Sequence, residues 1–171
     1  MPQEIEAAAP MTSANSNLCV VGIDPGLTGA IAFYFPCAPE RVAVEDMPVA
    51  DGMVDPHAFE RRIRQLGPAF AAIERQGPRP TDGCKQSFSI GASYATARTV
   101  LAMCRVPMHL ITSSNWKRHH GILAANDPKE AGRALALRLF PASAEHFGLK
   151  KHHNRSDASL IARFAADTIN G

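Results

Sequence analysis

Three acidic residues stand where apolar segments end or begin, in widely separated parts of the chain. Asp24 closes the run VVGID, Glu74 closes AFAAIE, and Asp157 opens the amphipathic segment DASLIARF. A carboxylate at the end of a buried strand costs several kcal/mol to desolvate unless a cation or hydrogen-bond donors offset that cost. Three such groups therefore predict one acidic pocket that holds divalent metal.

The charged residues are unevenly distributed, although the formal net charge of the 171-residue chain is only +2. Residues 85–155 contain 11 Lys and Arg against three Asp and Glu, whereas residues 1–84 contain six against 11. A basic half suits a polyanionic partner, with metal neutralising the acidic pocket. On charge alone, an ordinary solvated face remains the alternative.

The bulk composition limits the class of protein. With 46% hydrophobic residues the chain is long enough for one domain with a substantial core, and residues 1–16 read as a flexible tail. That tail has neither the basic start nor the apolar centre of a targeting peptide, and no stretch approaches the roughly 18 apolar residues of a membrane span. We expect no membrane association.

The cysteines argue against a zinc site and against a disulfide framework, because they are widely spaced and form no CxxC pair. Unpaired cysteines suit a reducing compartment. We therefore expect a cytoplasmic protein, in a bacterial cell or in the cytoplasm of a phage-infected host.

The order of apolar patterns predicts an α/β fold. Five strands are predicted at residues 18–24, 29–35, 41–47, 69–74 and 106–111. Helices are predicted at residues 56–65, 88–104, 113–121, 128–139 and 155–167, with loops at 48–55 and 141–154. The second helix has small residues, Gly91, Ala92 and Ala95, through which it is expected to pack closely. Three strands followed by alternating helices and strands are typical of a mixed sheet with helices on its faces.

Asp24 and Glu74 each have a structural alternative. Asp-Pro-Gly is a common turn, so Asp24 could serve only to support the hairpin between the first two strands. Gly26 and Gly29 would let a phosphate backbone approach that turn. Glu74 is disfavoured inside a strand, but it could reach solvent where the strand ends and pair with Arg75.

Asp157 also has an alternative, because acids near a helix N-terminus are stabilised by the helix macrodipole. The residues before it are nevertheless possible metal ligands. His153 and Asn154 precede Asp157 by four and three positions, which is the same face of a helix. His152 could reach the site only if the chain is still irregular there.

Taken together, GIDPGLTGAIA, AAIE and HHNRSDASLIARF resemble the motifs of the RuvC-type Holliday-junction resolvases of the ribonuclease H-like superfamily. The intervening order, with NWKRHHGI and DPKEAGRALALRLFP, resembles the phage and chloroplast branches most. The resemblance covers roughly residues 17–168, in one domain predicted to span residues 17–171. It implies a ribonuclease H-like fold with a mixed five-stranded sheet and helices on both faces.

The resemblance implies a metal-dependent endonuclease that resolves four-way DNA junctions by paired symmetric nicks, as a homodimer, in recombination, repair or phage DNA processing. Asp24 would bridge two Mg²⁺ or Mn²⁺ ions, with Glu74 and Asp157 as further ligands. His153 is the favoured fourth catalytic residue and metal ligand, with His152 close behind. No nucleotide cofactor is expected.

Several residues are candidates for contact with DNA. The basic candidates are Lys85, Lys117, Arg118, Lys150, Lys151 and Arg155. Trp116 could stack on DNA or anchor the core, and the anchor is favoured. The family's aromatic wedge after the Glu motif is missing from residues 75–85. Phe88 could replace it, although a core position is favoured for this residue.

Three rival functions remain. A phosphotransferase with an actin-like fold also opens with a GID-x-G-x-T turn, but it needs a second domain of the same kind. A non-catalytic junction-binding module would have no need for three mutually repelling carboxylates. A nuclease acting on other branched DNA or on RNA–DNA hybrids is hard to separate by sequence.

Overall fold

A computed structural model of the protein describes residues 18–169, so the predicted tail lies outside the described residues. The strands are β1 (Val20–Asp24), β2 (Ala30–Tyr34), β3 (Val42–Asp46), β4 (Val49–Ala50), β5 (Met53–Val54), β6 (Phe70–Glu74) and β7 (Met108–Ile111). The main sheet has five strands in the order β3-β2-β1-β6-β7, and β4 and β5 form a separate hairpin.

The main sheet is mixed, as the sequence predicts. Strand β1 pairs antiparallel with β2 and β2 antiparallel with β3, whereas β1–β6 and β6–β7 are parallel. The helices are α1 (Pro56–Leu66), α2 (Cys84–Met103), α3 (Ser113–His119), α4 (Pro128–Leu139) and α5 (His153–Ile169). Parallel strand pairs need crossover connections, and α1 and α2 lie in the connections that lead to β6 and β7.

Helices cover both faces of the sheet, because the side chains of β1 alternate between two cores. Val20 joins a core with Leu160 and Ala162 of α5. Val21 and Ile23 join the opposite core, formed with α1 and α2. The predicted ribonuclease H-like arrangement, a five-stranded mixed sheet with helices on both faces, is confirmed.

Gly22 sits at the closest contact between sheet and helix. A Cβ atom on Gly22 would lie 2.3 Å from the Ala158 carbonyl oxygen and 2.4 Å from the Ala162 backbone nitrogen of α5. Both are backbone atoms, so only glycine permits this approach. Gly22 lies two positions before Asp24 on the same face of β1, and therefore the close contact draws α5 towards that carboxylate.

Two segments predicted as loops have regular structure. Strands β4 and β5 form a hairpin whose turn residues, Asp51 and Gly52, have φ of 52° and 74°. Two positive φ values are the pattern of a type I′ turn, for which Asp-Gly is a preferred pair. Residues 141–146 and 150–152 are short 3₁₀ helices.

Three helix predictions are corrected. Helix α2 begins at Cys84 and not at residue 88, and the side chains that it buries are Ser93, Ala97, Val100 and Leu101. Gly91 and Ala95 are exposed, so the predicted packing through them within the subunit is wrong. Helix α3 ends at His119 and not at residue 121, and Thr112 caps its start. Helix α5 begins at His153, because the preceding 3₁₀ turn runs directly into it.

None of the helices within residues 18–169 combines the length and the apolar character needed to cross a membrane.

We predict that Gly22→Ala destabilises the protein by about 3 kcal/mol, because the added methyl group forces apart two backbone segments that cannot yield as a side chain would. Urea unfolding followed by circular dichroism measures the loss. Gly148→Ala is the matched control, since a Cβ atom there meets nothing within 4 Å. Equal stability of the two variants would show that α5 does not press on β1.

Candidate active site

Asp24 and Glu74 end neighbouring parallel strands. The register of β1 and β6 aligns Gly22 with Ala72 and Ile23 with Ile73, so the next residue on each strand is one of the two acids. Asp157 lies on α5, one turn after the helix begins at His153. Asp24 and Asp157 are more than 130 positions apart in sequence. The fold therefore brings together carboxylates from distant parts of the chain, at one end of the sheet.

Two of the three carboxylates have a raised pKa. Burial, together with the charges of Glu74 and Asp157, raises the pKa of Asp24 from 3.8 to about 8. Burial likewise raises the pKa of Asp157 to about 7, with the charge of Glu74 contributing. These interactions place the three acids in one region of the fold, and their convergence on a metal site stays a prediction.

The donor set suits a hard divalent cation. All three side chains offer carboxylate oxygens, which Mg²⁺ and Mn²⁺ prefer as ligands. Burial and mutual repulsion raise the pKa of Asp24, so a bound cation would relieve both costs. Within residues 18–169, no three Asp, Glu, His or Cys side chains stand close enough together to form a ready-made metal cage. The residues fit a divalent ion by their chemistry.

Trp116 orients one of the acids. Its indole is fully buried, and its Nε1 donates a hydrogen bond of 3.2 Å to Glu74 Oε1. The predicted role of Trp116 as a packing anchor is confirmed, and stacking on DNA is excluded by its burial. The bond to Glu74 could not have been predicted, because it joins α3 to β6 across 42 positions.

Two lysines act electrostatically on the acidic cluster, by which we mean Asp24, Glu74 and Asp157. The charges of Lys117 and Lys129 both lower the pKa of Asp24 and of Asp157, against the larger effect of burial. The Lys117 ammonium also lies 5.2 Å from the centre of the Trp116 ring, a cation–π contact. Sequence reasoning missed Lys129, and its only signal was the general basic character of residues 85–155.

The turn after Asp24 depends on one of its two glycines. A Cβ atom on Gly29 would lie 2.0 Å from the Asp24 carbonyl oxygen, so Gly29 is required for the turn itself. A Cβ atom on Gly26 would meet nothing closer than 3.8 Å. Gly29 is thus needed for the turn itself, and access for a phosphate backbone at Gly26 stays a prediction.

A cleft of about 380 Å³, which we call the active-site cleft, opens beside Asp24. Its lining comes from the β1–β2 turn, from the loop after β6, from the start of α2 and from Asn154. Asn154 Nδ2 donates a hydrogen bond to the Thr28 carbonyl oxygen, which ties α5 to the β1–β2 turn. Asn154 is thus the one of the three fourth-ligand candidates that lines the cleft.

The two histidines have other surroundings. His153 Nδ1 lies 3.3 Å from the Lys150 carbonyl oxygen. His152 has a buried Nδ1 without a hydrogen-bond partner among the described residues, and burial lowers its pKa. The assignment of His153 as a fourth catalytic residue, with His152 second, stays a prediction.

The predicted DNA-contacting residues differ in availability. Arg155 forms a two-pronged ion pair with Asp46, through bonds of 2.6 and 2.8 Å, so a phosphate contact would have to break that pair. The exposed candidates are Lys85, Arg118, Lys150 and Lys151. Phe88 is 75% exposed, so the favoured core position of Phe88 is wrong.

Comparison with known proteins identifies the fold. The protein has the ribonuclease H-like fold of RuvC. A structure of Thermus thermophilus RuvC in complex with a Holliday junction substrate matches 90% of this chain and 98% of its own, at a TM-score of 0.63 and 14% identity. A second Thermus thermophilus RuvC structure matches 88% of this chain and 96% of its own chain, at a TM-score of 0.57 and 17% sequence identity. No protein-family model and no curated protein matches the sequence.

We predict that the metal-free protein loses stability as the pH rises from 4 to 8. Unfolded Asp24 releases its proton near its ordinary pKa of 3.8, but the folded protein holds it to about pH 8. The folded state therefore binds more protons in this interval, and Asp24 lowers the stability by at most about 1.4 kcal/mol for each pH unit, with Asp157 adding to the fall up to its pKa of about 7.

Asp24→Asn is expected to flatten this decline, so that the variant is the more stable protein at pH 8. Urea unfolding in a chelating buffer at several pH values gives the comparison. Asp51→Asn, in the exposed hairpin turn, is the control and should follow the wild type. A parallel decline in wild type and Asp24→Asn would mean that Asp24 is not buried among like charges.

Proposed function

We propose that the protein is a metal-dependent, structure-specific endonuclease that resolves four-way DNA junctions by paired symmetric nicks, in DNA recombination, DNA repair or phage DNA processing. The observation that carries the proposal is that Asp24 and Glu74 end paired parallel strands of a RuvC-like sheet, with the charge of Asp157 acting on Asp24. The RuvC structure that this chain resembles contains a Holliday junction substrate. A cytoplasmic location fits this function.

Asp24, Glu74 and Asp157 would hold the metal, which we propose to be two Mg²⁺ or Mn²⁺ ions, with His153 or His152 completing the site. Asp24 would be the shared ligand, because the charges of both other acids raise its pKa. When bound, such a pair of ions activates a water and stabilises the leaving 3′-oxygen of a phosphodiester.

The chain's own residues position the reacting groups. Trp116 holds Glu74 through its indole N–H, which limits the rotamers of that carboxylate. Lys117 and Lys129 supply positive charge beside the acids, where the scissile phosphate would add further negative charge. The exposed cations Lys85 and Arg118 are suited to the flanking phosphates, which fix position without reading sequence.

Two rivals are weakened by the site. A non-catalytic binding module would gain nothing from a buried acid whose pKa is raised to about 8 by desolvation and by two neighbouring acids. A phosphotransferase of the actin-like class needs two domains of this type, and the whole five-stranded unit here corresponds to a single RuvC chain. A nuclease for other branched DNA or for RNA–DNA hybrids remains the second candidate, because it would use the same acids.

We predict that Asp24→Asn abolishes junction cleavage in Mg²⁺ or Mn²⁺ but leaves junction binding within about threefold, because the metal ligands serve chemistry more than docking. The assay compares a synthetic four-way junction with a matched duplex, a three-way branch and an RNA–DNA hybrid. Asp51→Asn is the control for loss of one carboxylate. Full activity of Asp24→Asn overturns the site, and preferential cutting of the hybrid favours the second candidate.

The proposed homodimer has a candidate surface on α2. The outward face of this helix carries Phe88, Gly91, Ala95 and Ala102, all exposed, and ends at Met103, which is 72% exposed. Phe88, Gly91, Ala95 and Ala102 are three, four and seven positions apart, which puts them along one face, with Arg98 also exposed between the last two. The small residues would let a second α2 approach closely across a twofold axis. Symmetric nicks need two active sites, and a dimer supplies them.

We predict that Ala95→Arg converts a dimer into a monomer, because it places a charge at the centre of this face. Light scattering coupled to size exclusion, at about 50 µM protein, gives the mass. Ala142→Arg, at an exposed position distant from α2, should remain dimeric. A monomeric wild type, or a dimeric Ala95→Arg, excludes this surface as the dimer interface.

A further inference from the structure

Helix α3 supplies two side chains to the acidic cluster, although it is only 7 residues long. Trp116 donates its hydrogen bond to Glu74, and the charge of Lys117 opposes the effect of burial on the pKa of Asp24 and of Asp157. A helix this short has little stability of its own and takes its position from tertiary contacts. The contacts of α3 therefore decide where these two side chains stand.

The end of α3 is a well-defined turn. The Gly121 backbone nitrogen donates to the Arg118 carbonyl oxygen at 3.1 Å. The Ile122 backbone nitrogen donates to the Lys117 carbonyl oxygen at 2.9 Å. With Gly121 at a φ of 70°, these two bonds form a Schellman motif. His120 is the cap residue of this motif, so the turn sets the direction of its side chain.

His120 joins this turn to the helix that carries Asp157. Its Nε2 lies 2.8 Å from the carbonyl oxygen of Leu160 on α5. A carbonyl oxygen only accepts, so His120 Nε2 carries a proton and donates it to this bond. The imidazole is half-buried, and burial lowers the pKa of His120, which favours the neutral ring.

The accepting carbonyl lies one turn away from Asp157. Leu160 follows Asp157 by three positions, which places both on one side of α5. Helix α4 faces the same place, because a Cβ atom on Gly132 would lie 3.3 Å from Asp157 Oδ1 and 3.8 Å from Leu160 Cδ1. The Cδ1 atom of Ile122 would also lie 3.8 Å from that Cβ atom. The turn after α3 thus packs against α5 beside the acid.

The neighbouring histidine makes a more exposed contact. His119 Nε2 lies 3.2 Å from Asp167 Oδ2, and the two side chains are 32% and 37% exposed. Ion pairs at this exposure contribute little to stability. Asp167 also stands almost three turns beyond Asp157 on α5. The contact of His120, and not that of His119, is therefore the one near the acidic cluster.

We propose that His120 is a positioning residue for the acidic cluster, because its hydrogen bond to the Leu160 carbonyl holds α3 against α5. Helix α3 orients Glu74 through Trp116, and α5 carries Asp157. Two acids on different elements thus keep their separation through one hydrogen bond outside the cluster. This inference rests on the proposed nuclease function and adds to it a residue that is not a metal ligand.

The test compares two amides of different length at position 120. The side-chain nitrogen of glutamine extends about as far as the Nε2 of histidine, whereas that of asparagine extends only as far as Nδ1. We expect His120→Asn to lower the single-turnover rate of junction cleavage in Mg²⁺ about tenfold, with junction binding in a chelating buffer within about twofold of the wild type. His120→Gln should bring the rate back to within about threefold of the wild type.

A second measurement does not depend on cleavage. Trp116 is the single tryptophan of the chain and is fully buried, so its fluorescence reports on α3 alone. In the metal-free protein we expect His120→Asn to shift the emission to longer wavelength and to raise acrylamide quenching about twofold, because water reaches an indole that is less firmly held. His120→Gln should match the wild type.

His119→Asn is the matched control, since it makes the same change at the adjacent exposed position. It should keep the wild-type rate and the wild-type fluorescence. Circular dichroism verifies that each variant is folded.

The outcomes separate this inference from the proposed function. A wild-type rate and fluorescence in His120→Asn overturn the positioning role. Equal losses in both position-120 variants, or in His119→Asn and His120→Asn, also overturn it, because the hydrogen bond would not be the cause. Absence of junction cleavage by the wild type overturns the proposed function, and the fluorescence comparison still decides whether His120 holds α3.

Discussion

The close contact of α5 with β1 is the constraint on which the site depends. Gly22 has no side chain, and the backbone of Ala158 and Ala162 occupies the space that a Cβ atom would take. Asp157 belongs to this same helix, one position before Ala158. A larger residue at position 22 would move α5 outward and separate its carboxylate from Asp24, so packing and site geometry are set by one contact.

The acidic cluster is electrostatically unfavourable in isolation, and the surrounding residues reduce that cost only in part. Lys117 and Lys129 lower the pKa of Asp24, but burial and the neighbouring acids raise it to about 8. Trp116 gives Glu74 one hydrogen bond. A divalent cation would offset this cost at the proposed metal site, because the protein leaves part of the charge uncompensated.

The functional surfaces around the cluster differ in chemistry. The outward face of α2 carries small and apolar residues, with Arg98 exposed among them, and is the proposed contact with a second copy of the chain. Basic residues such as Lys85 and Arg118 lie exposed and suit phosphates. Dimerisation and backbone binding can therefore be altered separately, because no residue that carries one of these proposals carries the other.

The sequence by itself determined the strands, the mixed sheet and the three acids, since alternation of apolar residues and a strand-ending Asp or Glu are local patterns. It did not determine the solvent exposure of Gly91, Ala95 and Phe88, because apolar, small and polar residues are mixed around helix α2 and its buried face is chosen only by packing. The hydrogen bond from Trp116 to Glu74 joins elements distant in sequence. The same is true of the charge of Lys129, which lowers the pKa of Asp24. Only the tertiary structure decides such contacts, because they arise from how the helices settle on the finished sheet.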